Sequence, residues 1–207
     1  GYRIDAVAIG SRALKNVCLD YLMQLDDADL RALCLRQFRE AGNMTDQIGA
    51  LAPLAHCAGP ERAEALAAFY DHWRQEALVV DKWLSLQAIS RLPGTLTVVK
   101  ELMGHEAFNL RNPNKVRALI GVFSQANSVH FHAADGSGYT FLADQILALN
   151  AFNPQIAARL MAAFTRWRKY DPDRQQRMQN QVERILTTPA LSPDVYEIAA
   201  KSLGREE

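Results

Sequence analysis

Two stretches, "NPNKVRALIG" from Asn112 and "NPQIAARLMA" from Asn153, each follow an Asn-Pro pair with an arginine in the second turn. A guanidinium presents a rigid fork of donors, so Arg117 and Arg159 are suited to grip a carboxylate or a backbone carbonyl. The two residues ahead of them are helix-start signals. An Asn side-chain oxygen accepts one of the unpaired N–H groups there, and Pro has its φ already set for the first helical position. A cation close to that end faces the positive pole of the helix dipole, which is mildly unfavourable. Either the arginines bridge helices through acidic partners, or they face a ligand.

Three other clusters have chemical potential. "HEAFN", His105 to Asn109, approaches the zinc-peptidase pattern H-E-x-x-H, in which histidines at i and i+4 share a helix face. Asn109 stands where the second histidine is required, so the pattern fails. In "HFHAAD", an extended strand-like segment would put His130 and His132 on one side with Asp135 nearby. Two imidazoles and a carboxylate can hold a metal. With no third histidine close in sequence, hydrogen bonding within a turn is the expected role. "DGSGY" offers backbone N–H groups to a phosphate but lacks the lysine and spacing of a Walker loop. Gly136 and Gly138 are expected at positive-φ turn positions, with Ser137 or Asp135 capping the next helix. No Ser-His-Asp or Cys-His arrangement stands out.

The elements that must position these residues read as helices almost throughout. Leu14, Val17, Cys18, Tyr21, Leu22 and Leu25 recur at the spacing of one helix face, and Leu30, Leu33, Cys34, Gln37 and Phe38 do the same. "NMTDQIGALAPLAH" starts at a cap supplied by Asn43 or Thr45. The long run from Pro60 holds two helices with a break expected around Ala77 to Asp81. "DPDRQQRM" and "SPDVYEIA" repeat the cap-then-proline device with Asp171 and Ser192. About eleven helices with short links predict an all-α fold, an irregular right-handed superhelix of antiparallel helix pairs of the armadillo or HEAT kind. The stretch from Asn127 to Tyr139 is expected to be one long non-helical loop, either functional or packed into a groove.

Composition agrees with a globular chain: 207 residues, 49% hydrophobic and 22% charged. Twenty-three basic residues balance twenty-three acidic ones, which argues against a nucleic-acid partner or an anionic membrane surface. No apolar run approaches the ~20 residues of a membrane span, and no signal peptide is visible at the start. Cys18, Cys34 and Cys57 are expected as reduced core thiols, as in a cytoplasmic protein.

Seven motifs taken in order, "ALKNVCLDYL", "NMTDQIGAL", "LVVDKWLSLQA", "NPNKVRALIGVF", "FHAADGSGYTFL", "LNAFNPQIAARL" and "YDPDRQQRM", closely resemble the C-terminal domain of bacterial aminopeptidase N. That family comprises zinc-dependent alanyl aminopeptidases of the gluzincin type, which remove N-terminal residues from peptides. The resemblance runs from about Ile9 to Leu203. It implies residues 1–8 as a linker remnant from a preceding β-sandwich domain and 9–207 as the helical domain. It further implies that zinc belongs to the catalytic domain of the parent enzyme, with no cofactor and no catalytic residue in this chain, and that the chain alone is inactive. The domain would cap the active site as a partner of the catalytic domain in the same polypeptide and meet short peptide substrates. Arg117, Gln155 and Arg159 match positions that face the substrate channel. The alternative is a free-standing helical-repeat module that binds protein partners. The reading frame upstream of Gly1 distinguishes them: several hundred further residues containing H-E-x-x-H support the first, a start codon the second.

Overall fold

The computed structural model describes residues 2–205, so both ends of the two expected segments, Gly1 and Glu206–207, lie outside the described residues. Every regular element among them is helical. Two compact units divide at Pro93, Gly1–Pro93 and Gly94–Glu207. Gly94 opens the second unit with φ +82°, a left-handed conformation that glycine adopts without a Cβ clash.

The first unit contains α1 (Ala6–Met23), α2 (Ala28–Glu40), α3 (Met44–Leu54), α4 (Pro60–Trp73) and α5 (Ala77–Ala88). Asp5 caps α1 by accepting from Ala8 N–H at 2.9 Å, so Ala6 to Ala8, expected as linker, form its first turn. Asn43, not Thr45, caps α3 through Asp46 N–H at 2.9 Å. The break in the long run falls at 74–76, just ahead of the expected place. Contacts join α1 with α2 and α3, α2 with α3 and α4, and α4 with α3 and α5. The first two helices each touch their next and next-but-one neighbours, the pattern of stacked helix pairs. Phe38, Phe69, Leu51, Leu54 and Leu84 fill the core, and the Trp83 indole N–H donates to Leu66 O at 3.0 Å from within it.

One sequence expectation fails here. The apolar face of α1 is not core: Leu14, Val17, Tyr21 and Leu22 are exposed, and so is Cys18. Only Leu19 and Met23 of that helix are buried. Cys34 and Cys57 are buried as expected. Burial, with Cys57 and Asp20 nearby, pushes the Cys34 thiol up to about 12, and its Sγ donates to Ala50 O at 3.3 Å.

The second unit contains α6 (Thr95–Met103), α7 (Pro113–Val116), a π-helical turn (Arg117–Gly121), α8 (Val122–Ala126), α9 (Ser128–Phe131), α10 (Ser137–Asn150), α11 (Pro154–Met161), a 3-10 turn (Trp167–Lys169), α12 (Pro172–Leu186) and α13 (Pro193–Leu203). All four proline-led starts, at Pro113, Pro154, Pro172 and Pro193, fall where the cap-proline pairs put them. Again α10 packs on α11 and α12, and α13 on α11 and α12. Their shared core is aromatic: Phe131, Phe123, Tyr139 and Phe164 are fully buried, with Phe123 edge-on to Phe131 at 6.2 Å and Tyr139 edge-on to Phe131 at 5.2 Å.

Candidate functional site

In the second unit the structure brings the two Asn-Pro starts together. Asn112 Oδ1 accepts from Asn114 N–H at 3.0 Å, and Asn153 Oδ1 accepts from Ile156 N–H at 3.3 Å. Immediately ahead of the first cap, the Arg111 guanidinium lies over the ring of Phe152, immediately ahead of the second, at 5.1 Å from its centroid. Farther along, a Cβ added to Gly121 would sit 3.9 Å from Leu160 Cδ2. Helix 113–126 and α11 are thus neighbours at their starts and again beyond.

Arg117, Gln155 and Arg159 are all exposed, while Ala118, Ile156, Ala158 and Leu160 beside them are buried. The helix faces that carry the polar groups are therefore turned away from the core that fixes them. Arg117 donates to Asn114 Oδ1 one turn earlier. Among the described residues neither Arg117 nor Arg159 has a carboxylate within ion-pair distance. The reading of the arginines as helix-bridging ion pairs finds no partner there.

Two details were not legible. Arg117 opens the π-helical turn, in which Val122 N–H reaches back five residues to Arg117 O. Such widened turns occur often at functional sites. Arg159 stands in the last turn of α11, because that helix ends at Met161. A cation there faces the negative pole of the dipole, so its placement is favourable and the sequence-level objection disappears for this residue. Arg111 and Phe152 were also missed. Each sits directly before an Asn-Pro pair, and that shared position is the only signal the sequence carried.

The histidine segment is a packed structural element. Residues 128–131 form the short helix α9, so His130 and His132 do not alternate along an extended strand. The His132 ring lies 2.8 Å from Tyr139 OH through Nδ1 and stacks on Tyr170 at 4.2 Å, and its carbonyl accepts from Arg174 Nε at 2.8 Å. Burial, and then the Arg174 charge, hold its pKa below the ordinary histidine value. Asp135 accepts from Ser137 N–H at 2.9 Å, which lowers its pKa. Gly136 has φ +75°, as expected for a turn glycine. Gly138 is helical instead, and a Cβ there would lie 2.4 Å from Phe131 O, so close approach explains that glycine. His105 lies in the turn after α6 and its Nδ1 accepts from Ala107 N–H at 3.0 Å. Among the described residues no three His, Cys, Asp or Glu side chains are grouped to hold a metal ion. In the first unit, Asp20, His56, Cys57 and Arg91 line a cleft of about 330 Å³, where burial and the Arg91 charge lower the His56 pKa.

Stacked helix pairs, with the candidate polar groups Arg117, Gln155 and Arg159 on exposed helix faces, define an all-α repeat domain. The chain belongs to the family described as "Domain of unknown function (DUF3458_C) ARM repeats", which matches residues 1–204. It is 44% identical over 97% of its length to aminopeptidase N of Caulobacter vibrioides, and 40% identical over 98% to aminopeptidase N of Escherichia coli. In both cases it covers 23% of the relative. A crystal structure of Legionella pneumophila aminopeptidase A in complex with aspartic acid superposes with a TM-score of 0.91 at 38% identity, over 98% of this chain and 24% of that one. The chain thus spans about a quarter of the length of the relatives it matches, and corresponds to the C-terminal part of aminopeptidase N-type enzymes. No described helix is long and apolar enough to cross a membrane.

Proposed function

We propose that this chain is the non-catalytic C-terminal domain of a zinc aminopeptidase, that it closes over the active site of the catalytic domain, and that Arg117, Gln155 and Arg159 line the channel for short peptides. The observation that carries the reading is the pairing of two Asn-Pro helix starts around exposed arginines without carboxylate partners. A peptide held by its amino end offers backbone carbonyls and finally a carboxylate to whatever lies beyond the scissile bond. The exposed guanidinium groups of two neighbouring helices suit those acceptors. Zinc and the residues that bind it belong to the catalytic domain in this reading, and the location is the cytoplasm, in keeping with the free thiols Cys34 and Cys57.

The test uses the full-length enzyme. Arg117→Ala and Arg159→Ala are expected to raise KM for tri- and tetrapeptides by about 3- to 10-fold, the loss of roughly one charge-assisted hydrogen bond. KM for a single-residue chromogenic amide, which hardly extends past the scissile bond, is expected to stay within about twofold. Equal losses on both substrates, together with a lowered melting temperature of the helical domain, would mean that the arginines serve the fold.

A further inference from the structure

Three elements of the first unit meet at the cleft of about 330 Å³, which takes no part in the channel described above. The last turn of α1 brings Asp20 and Met23, the turn that ends α3 brings His56 and Cys57, and the link after α5 brings Arg91 and Leu92. That link is fixed in place. Ser90, almost fully buried, donates its hydroxyl to Ala55 O at 2.9 Å, one residue before His56, and the same carbonyl accepts from Arg62 Nε at 3.2 Å. Buried Met23 and Cys57, with Pro53 and Leu92, give the cleft an apolar wall. Its volume stands at the lower end of small-molecule sites, roughly 300–1,000 Å³.

The polar groups of the cleft lack partners within the protein. Asp20 and Arg91 are exposed, and among the described residues neither side chain makes an ion pair or a hydrogen bond, with the other or with anything else. Asp26 also lines the cleft, but its carboxylate is held by Arg31 at 2.7 Å. Burial first, then Arg91, keep the His56 ring neutral, with Asp20 opposing them and Arg62 adding to them. Both unpaired charges therefore lie near this ring. Its Nδ1 is buried without a hydrogen-bond partner. An orphaned buried N–H is rarer and costlier than a bare lone pair, so the ring proton belongs on Nε2. Nε2–H is then the donor that this ring offers to the cleft it lines. Helices α1 and α3 both end here, and helix C-termini favour a cation.

We propose that this cleft binds a free α-amino acid with an apolar side chain. Its ammonium group sits on Asp20, where the two helix ends support positive charge, and its carboxylate sits on Arg91 and His56 Nε2–H. Its side chain lies against Met23, Pro53 and Leu92. A simple anion would satisfy Arg91 and face the Asp20 carboxylate, and a simple cation would satisfy Asp20 and face the guanidinium. A zwitterion satisfies both, and the apolar wall gives it a side chain to hold. The cleft belongs to the first unit and Arg117, Gln155 and Arg159 to the second, so this site and the channel reading stand or fall separately.

The test is amide hydrogen exchange of the full-length polypeptide, followed peptide by peptide so that the readout is local to the cleft. L-Leucine at about 10 mM is expected to slow exchange about 5-fold or more in the peptides that contain His56 and Arg91. N-Acetyl-leucine lacks the ammonium group and leucinol lacks the carboxylate. Each should need an about 10-fold higher concentration for the same protection, the loss of one charge-assisted hydrogen bond. Asp20→Asn should erase the preference for leucine over N-acetyl-leucine, and Arg91→Gln the preference over leucinol. Both side chains are exposed, so the fold tolerates these changes. Absence of protection by leucine would overturn the proposal. So would inorganic phosphate or leucinol protecting as well as leucine, which would make the cleft an anion or a cation site. Protection that persists unchanged in both variants would trace it to leucine bound elsewhere and equally end the assignment.

Discussion

At the scale of single residues, His132 shows how packing converts a candidate ligand into a pH-dependent structural contact. Its ring is enclosed by Tyr139, Tyr170 and Phe131, and Arg174 sits on its carbonyl. Burial first, and the guanidinium second, favour the neutral ring in the folded protein. The folded pKa is thus below the unfolded one, so the unfolded chain takes up more protons in the interval between them. Stability is fully present above the unfolded value near 6.5 and declines as pH falls through that value toward the folded one. His56, lowered by burial and Arg91, works in the same direction. Urea midpoints measured at about pH 7.5 and about pH 5.5 should fall more for the native chain than for His132→Gln, which loses the His132 share of the slope. Equal slopes for the two chains would remove His132 from this account.

At the scale of elements, the starts of the helices were legible and their surroundings were not. Asn112, Asn153, Asp171 and Ser192 cap where they were expected to, because a cap and a following proline act on local backbone geometry alone. The period of apolar residues gave α1 its helical form but not its environment, since a stripe repeats identically whether its partner is inside the unit or beyond it. The π turn at Arg117 left no trace in composition, and the end of α11 at Met161, which decides the sense of the dipole at Arg159, had no glycine stop to mark it. Glycines show the same division. Gly136 was readable as a turn residue, whereas Gly138 is fixed by a neighbour seven residues earlier, Phe131, whose carbonyl would touch a Cβ at 2.4 Å. Gly138→Ala is therefore expected to destabilise the chain by about 1–3 kcal/mol through forced displacement of α9 from α10. Gly10→Ala, which meets nothing within 4 Å, is the control and should be neutral or stabilising by about 0.5–1 kcal/mol. Equal effects of the two changes in urea unfolding would show that close packing at Gly138 is not what that glycine serves.

At the scale of the whole molecule, an aminopeptidase-type domain without the aminopeptidase ligand set poses a direct question about activity. The family mechanism implied by the resemblance needs two imidazoles on successive turns of one helix, a glutamate between them and a further acidic ligand. This chain has five histidines, and three of them are committed to local contacts: His105 to the turn at Ala107, His132 to Tyr139 and Tyr170, and His72 edge-on to Trp73 at 4.6 Å. No two histidines are four residues apart on one helix, and the described residues hold no cluster of three ligating side chains. The helical pattern, by contrast, is continuous through both compact units, with cores of their own built on Phe69 and Leu84 in one and on Phe131 and Tyr139 in the other. The purified chain should accordingly give a far-ultraviolet circular dichroism spectrum dominated by helix and a cooperative urea transition. It should release no product from alanine p-nitroanilide, whether or not zinc is added. The same assay on the full-length polypeptide should show activity that chelation removes and zinc restores. Zinc-dependent release by the chain alone, surviving a second purification and absent after His130→Ala with His132→Ala, would place a metal centre in the α9 segment and overturn its structural assignment.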